Sequence, residues 1–177
     1  RAGKSEYLLL ESDEWHAAFL EYSPFIAVVT NIDREHLDFY KNLSNVKKTF
    51  LSFLGRVRPG GFLVLNRNDA NLWSLRSPIA KLARKNNLKI FWYSRRSPAT
   101  KQIQRHLQIP GAHNISNALA VFMVATKILH IPANKVLRSL GAYRGAWRRM
   151  EYKGKFKPNV EVYDDYGHHP TEIKATL

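Results

Sequence analysis

The sequence predicts an α/β fold in which a mostly parallel sheet is flanked by helices, followed by the first strands and helix of a second α/β domain. Short apolar, β-branched runs recur at 25–30, 62–65 and 88–93, each the length of a buried strand. Between them lie stretches with helical spacing, and strand–helix alternation of this kind argues for parallel strands covered by helices. After residue 148 the texture changes to two strand-like runs and a helix start, which places a domain boundary there: 1–148, then 149–177.

Taken in order, Tyr7 to Leu10 is a short apolar run ending at Glu11 and is expected as a strand. Ser12 to Tyr22 is expected as a turn or short helix. Phe25 to Thr30 is the next strand, and it breaks into a run rich in ligand atoms: Asn31, Asp33, Glu35, His36 and Asp38. From Asn45 to Val57, apolar residues at 46, 50, 53, 54 and 57 give the spacing of an amphipathic helix. Pro59-Gly60-Gly61 stops it, and Phe62 to Leu65 is a buried strand. Asn71 to Lys85 is expected as one helix, Leu88 to Tyr93 as a strand, and Ser94 to Gln104 as a loop or poorly formed helix. Gly111 opens a helix through Leu129, and Ala133 to Leu140 makes another. Arg149 to Tyr152 and Val160 to Tyr163 are expected as strands joined by a turn-rich linker, with a last helix from Thr171.

Composition narrows the function classes. The chain has 177 residues, 45% hydrophobic, enough for one packed domain and part of a second and too apolar for intrinsic disorder. It has no cysteine, which removes disulfides, thiolate zinc sites and cysteine nucleophiles and fits a cytoplasmic setting. No run is long enough to cross a membrane, and the first residues lack the apolar stretch of a signal peptide. Twenty-eight Lys and Arg against 14 Asp and Glu leave a net charge of +14, which calls for an anionic partner. The basic residues are scattered, with no aromatic-interleaved signature, so a basic nucleic-acid-binding domain is the alternative reading and not the first.

Several clusters carry chemistry. A strand that ends in carboxylates and an imidazole is suited to a sheet-edge site, since ligands bind beyond the carboxyl ends of parallel strands. If the strands ending at Glu11 and Thr30 are neighbours, Glu11 and His36 converge and can hold magnesium, which keeps several waters. The alternative is helix capping and a solvated helix face. Asn114 and Asn117 share a helix face, where their amides either read a base edge or cap the helix. Arg144, Arg148 and Arg149 either contact phosphate oxygens, which Arg suits, or form solvated charge pairs. Asp164-Asp165-Tyr166-Gly167-His168-His169-Pro170 holds two acids and two imidazoles between a strand and a helix, and helix initiation explains only its Pro and the following Glu. Gly3-Lys4-Ser5 resembles the tail of a phosphate-binding loop but lacks its first glycine and precedes a strand, so it is rejected.

These stretches stand in the order found in the Mur ligases of peptidoglycan synthesis. Glu11-Ser12-Asp13-Glu14, Thr30-Asn31-Ile32 with Glu35-His36-Leu37-Asp38, Gly111 with His113-Asn114 and Asn117, Gly145 with Arg148-Arg149, and the Asp164–Pro170 run all resemble that family. The last run is most similar to members that join L-alanine to UDP-N-acetylmuramate. A close variant attaches a recycled peptide to the same sugar nucleotide. The resemblance implies an ATP-dependent amide ligase working through an acyl phosphate, with Mg2+ held by Glu11 and His36. It implies Asn114 and Asn117 near adenine, Arg149 near ribose and phosphates as a catalytic group, Asp165 near ribose, and His168 and His169 facing substrate or metal. The family's Gly-Lys-Thr phosphate loop and its UDP-binding domain are not found in this sequence, and Ser94 to Ile109 is short for the family. The expectation is therefore a fragment that is inactive by itself. A Mur-like domain reused for binding or as a scaffold is the remaining alternative.

Overall fold

The computed structural model describes Gly3 and residues 5–177. The stretch Gly3-Lys4-Ser5 includes Lys4, which lies outside the described residues. Three strands form a parallel sheet in the order β1-β2-β3: β1 Ile26–Val29, β2 Phe62–Asn66 and β3 Lys89–Tyr93. The central strand has Leu63, Val64 and Leu65 fully buried, the continuous apolar signature of a strand covered on both faces. β1 alternates instead, with Ala27 and Val29 buried and Val28 exposed. Two βα connections supply the helices. α1 (Leu37–Tyr40) and α2 (Leu43–Gly55) lie between β1 and β2, and α3 (Ala70–Ser74) and α4 (Arg76–Lys85) between β2 and β3.

The chain forms two compact units, 1–63 with 69–91, and 64–68 with 92–177. In the first, α2 packs on α4, and Phe19 from a 3₁₀ segment (Trp15–Glu21) stacks on Phe53 at 4.7 Å. Its core is Val46, Leu54, Val57, Leu72 and Ile79, all at most 2% exposed. In the second, α5 (Ala99–His106), α6 (Ala112–Met123) and α7 (Ala133–Ala142) pack on one another around Ile103, Leu119 and Val136. A π-helical turn, Val124–Ile128, extends α6 toward the predicted end. The antiparallel pair β4 (Glu151–Lys157) and β5 (Val160–Asp164), then α8 (Pro170–Thr176), complete this unit.

Four expectations change. Tyr7 to Leu10 forms no strand: its side chains are exposed, Leu9 to 94%, and its backbone finds no ladder among the described residues. An apolar run needs a partner strand, and periodicity cannot supply one. The helix expected over Asn71 to Lys85 is two, broken at Leu75. Pro78 is the cause, because its ring collides with the carbonyl four residues back, at Ser74, the last residue of α3. The segment after Ser94, expected as a loop or poorly formed helix, contains a regular helix, α5, whose Thr100 and Ile103 are buried. The strand expected from Arg149 starts at Glu151 and runs on to Lys157, so the linker to β5 shrinks to Pro158-Asn159.

Candidate functional site

In the first unit, the loop leaving β1 is held at one residue. Ile32 N–H donates to Asp69 Oδ1 at 3.4 Å, and Ile32 C=O accepts from Asn71 Nδ2 at 2.8 Å. Asp69 also caps α3, accepting from Leu72 N–H at 2.6 Å. The start of α3 thus grips both backbone groups of a fully buried loop residue, four positions before His36. Burial raises the Asp69 pKa, against the pull of these two amide donors. A raised carboxyl pKa means that ionisation costs folding free energy. The stability Asp69 provides is complete below the ordinary carboxylate pKa and declines as pH rises through the raised one. Asp69→Ala is expected to cost about 1–2 kcal/mol through the lost cap. Asp69→Asn keeps an acceptor and should instead flatten that pH slope, as urea titrations at several pH values would show.

His36 follows with a left-handed backbone, φ 53°, at the start of α1. Its Nε2 lies 3.4 Å from Glu14 Oε1, and its ring meets Trp15 edge-on at 4.8 Å. Asp13 completes the group: ligand atoms of Asp13, Glu14 and His36 all lie within 4.8 Å of one another. Tyr40 O–H donates to the Glu14 carbonyl, and burial raises the tyrosine's pKa. Two carboxylates and an imidazole converging on one point are a fitting donor set for a divalent cation that keeps water ligands. The carboxylate that meets His36 is Glu14. Glu11 is exposed and stands outside this group. The geometric premise of two converging strand ends does not hold, because Glu11 ends no strand. Asp13 and Glu14 belong to the same acidic run, but only the 3₁₀ turn after them selects which acid faces the imidazole.

The second unit contains the other candidate residues. Asn114 and Asn117 line one cleft of about 400 Å³ with Ile109, Val121, Leu140 and Tyr143. Asn114 Nδ2 donates to the Pro110 carbonyl at 2.6 Å, so the side chain closes the turn before α6 and caps no helix amide. Gly111 occupies the cap position with φ +99°, and a Cβ there would lie 2.6 Å from the His113 ring.

Further along, Arg149 pairs with Glu172 at 3.7 Å, and Arg148 with Asp164 at 3.4 Å. Both guanidinium groups lie over the Tyr166 ring, at 5.9 and 5.1 Å. Asp165 accepts from Gly167 N–H at 2.7 Å and from Met150 N–H at 2.8 Å. These amides hold its carboxyl below the ordinary range, the Gly167 donor most strongly. Both oxygens of Asp165 are therefore engaged in tying the approach to β4 to the turn after β5. His169 caps α8 by accepting from Thr171 N–H at 3.3 Å, while His168 Nδ1 lies 4.0 Å from Glu172.

Fold and candidate site together define a parallel-sheet α/β domain with polar groups gathered beyond the strand that leads the sheet. Comparison with known proteins narrows the class. Residues 2–125 match the model of the Mur ligase middle domain. The whole chain is 40% identical, over 199 aligned positions, to UDP-N-acetylmuramate–L-alanine ligase of Aquifex aeolicus (strain VF5). It is 39% identical to the protein of the same name from Caldicellulosiruptor bescii over 99% of its length. The chain spans 42% of each of these relatives. Among solved structures, MurF from Acinetobacter baumannii shares the fold, with a TM-score of 0.69 at 18% identity, covering 89% of this chain and 37% of that one. The chain belongs to the Mur ligase family. The 199 aligned positions exceed its 177 residues, so it lacks stretches that the relative carries.

Proposed function

We propose that the chain serves an ATP-dependent ligase that joins L-alanine to UDP-N-acetylmuramate through an acyl phosphate. The observation that carries this is 40% identity sustained along the whole chain to a ligase of that name. In this reading His36, Glu14 and Asp13 hold Mg2+; sequence order alone allows Glu11 in place of Glu14, and the 3.4 Å contact favours Glu14. A bound magnesium would neutralise charge on transferring phosphoryl oxygens. The Asn114–Asn117 cleft takes adenine: amide donors and acceptors lie along a mainly apolar wall, which suits a flat heterocycle. Arg149 serves the ribose and phosphates once it leaves Glu172, an exposed pairing that is cheap to break. Asp165 and His169 shape the corner in which Arg148, Arg149 and His168 stand, and His168 faces substrate. The domain boundary is placed at residue 148.

No helix among the described residues is long and apolar enough to cross a membrane. The test is a chimera in which residues 1–177 replace the matched 42% of the Aquifex aeolicus relative. ATP-dependent formation of UDP-N-acetylmuramoyl-L-alanine is expected. A folded chimera that binds ATP but ligates no amino acid would overturn the reading, and one that ligates only peptides would assign the chain to peptide recycling.

A further inference from the structure

A second cleft, of about 520 Å³ and within the second unit, is used by none of the residues above. It opens at the carboxyl ends of β2 and β3, where parallel sheets place ligands. Its wall includes Arg67, Asn68, Trp92, Ser94, Arg96 and Ser97. The hydrogen bonds behind this wall give it one polarity. Asn68 Oδ1 accepts from Arg95 N–H at 2.8 Å, Ser94 Oγ from Arg96 N–H at 3.2 Å, and Ser97 Oγ from Ala99 N–H at 3.4 Å. Each of these side chains spends acceptor capacity on the backbone and has its own donor left: an amide NH2 and two hydroxyls. The guanidinium groups of Arg67 and Arg96 add positive charge, and no carboxylate lines the cleft. A wall of donors with two cations selects an acceptor-rich anion, and the guanidinium fork matches phosphate oxygens. Trp92 supplies a flat apolar surface beside them.

We propose that this cleft binds a small phosphate monoester with an aromatic or apolar body, the phosphate held by Arg67, Arg96, Ser94 and Ser97 and the body resting on Trp92. The site also gives part of the net charge of +14 a local purpose. It holds or fails independently of the ligase reading, because no residue is shared with the metal group or with the Asn114–Asn117 cleft.

The experiment is a titration of the 177-residue chain with phenyl phosphate, free of nucleotide and magnesium, at about 0.15 M salt so that long-range attraction is screened. Amide chemical shifts by NMR are the readout. Saturable shifts confined to residues 67–68 and 92–97 are expected. Arg96→Ala should weaken binding by about tenfold or more, the loss of a charged hydrogen bond. Arg95→Ala removes the same charge from a side chain outside the cleft and should change affinity less than about twofold. Equal weakening by the two variants, or shifts that never saturate, would overturn the site in favour of diffuse attraction to a basic surface. Inorganic phosphate binding as tightly as phenyl phosphate would overturn the role given to Trp92.

Discussion

His36→Ala in the ligating chimera is expected to lower turnover on the order of a hundredfold or more, with little change in the urea midpoint. The size follows from the several kcal/mol that a metal contributes to phosphoryl-group charge, at 1.4 kcal/mol per tenfold. The small stability effect follows from position. His36 is partly exposed in a left-handed linker and packs edge-on against Trp15, so its removal opens no core cavity. A left-handed non-glycine residue is itself a modest strain, and its presence beside two acids is consistent with a side chain kept for its imidazole. Manganese binding followed by electron paramagnetic resonance separates the two candidate acids. Glu14→Ala should abolish the bound signal and Glu11→Ala should leave it. The opposite pattern would move the metal's carboxylate to Glu11 and reject the Glu14 contact as the binding arrangement.

That choice marks where sequence reasoning stops. The parallel sheet was legible because Leu63, Val64 and Leu65 form an unbroken apolar run that only a covered strand explains. α2 was legible because Val46, Phe53 and Leu54 recur on one face. Tyr7 to Leu10 carried an equally apolar pattern yet forms no strand, since pairing depends on a neighbour that a local pattern cannot reveal. His36 stood out as a candidate ligand because three acids crowd it in sequence, but the acids whose oxygens its ring approaches, Asp13 and Glu14, lie more than 20 positions upstream across a 3₁₀ turn. Asp69 was missed altogether. Its role depends on Ile32, 37 residues away, and the only local signal was an Asp immediately before a helical stretch, which predicts a cap and nothing more.

Pro59-Gly60-Gly61 illustrates the same limit and yields the second large effect. The tripeptide reads as a helix stop, although α2 has already ended at Gly55. Its two glycines serve different needs. Gly60 has φ +79° with open space around it, so Gly60→Ala meets only the left-handed backbone penalty, about 1 kcal/mol. Gly61 has an ordinary backbone and no room at all. A Cβ there would lie 2.5 Å from the Phe25 carbonyl oxygen, 2.8 Å from that of Arg58, and 2.8 Å from Val57 Cγ1. Two of these three are backbone atoms that cannot rotate away, and both take part in the join between β1 and β2. Phe25 C=O accepts from Phe62 N–H at 2.8 Å, and Arg58 C=O from Gly61 N–H at 2.9 Å. Making space would pull β1 off β2 at its first rung and shift the loop bearing His36. Gly61→Ala is therefore expected to destabilise the chain by about 3 kcal/mol, at the upper end of overpacking costs. Urea denaturation of the two alanine variants checks this: the midpoint should fall much further for Gly61 than for Gly60. Equal midpoints would mean that the β1–β2 join yields easily and that the closeness of β2 to Phe25 does not hold the strand in place.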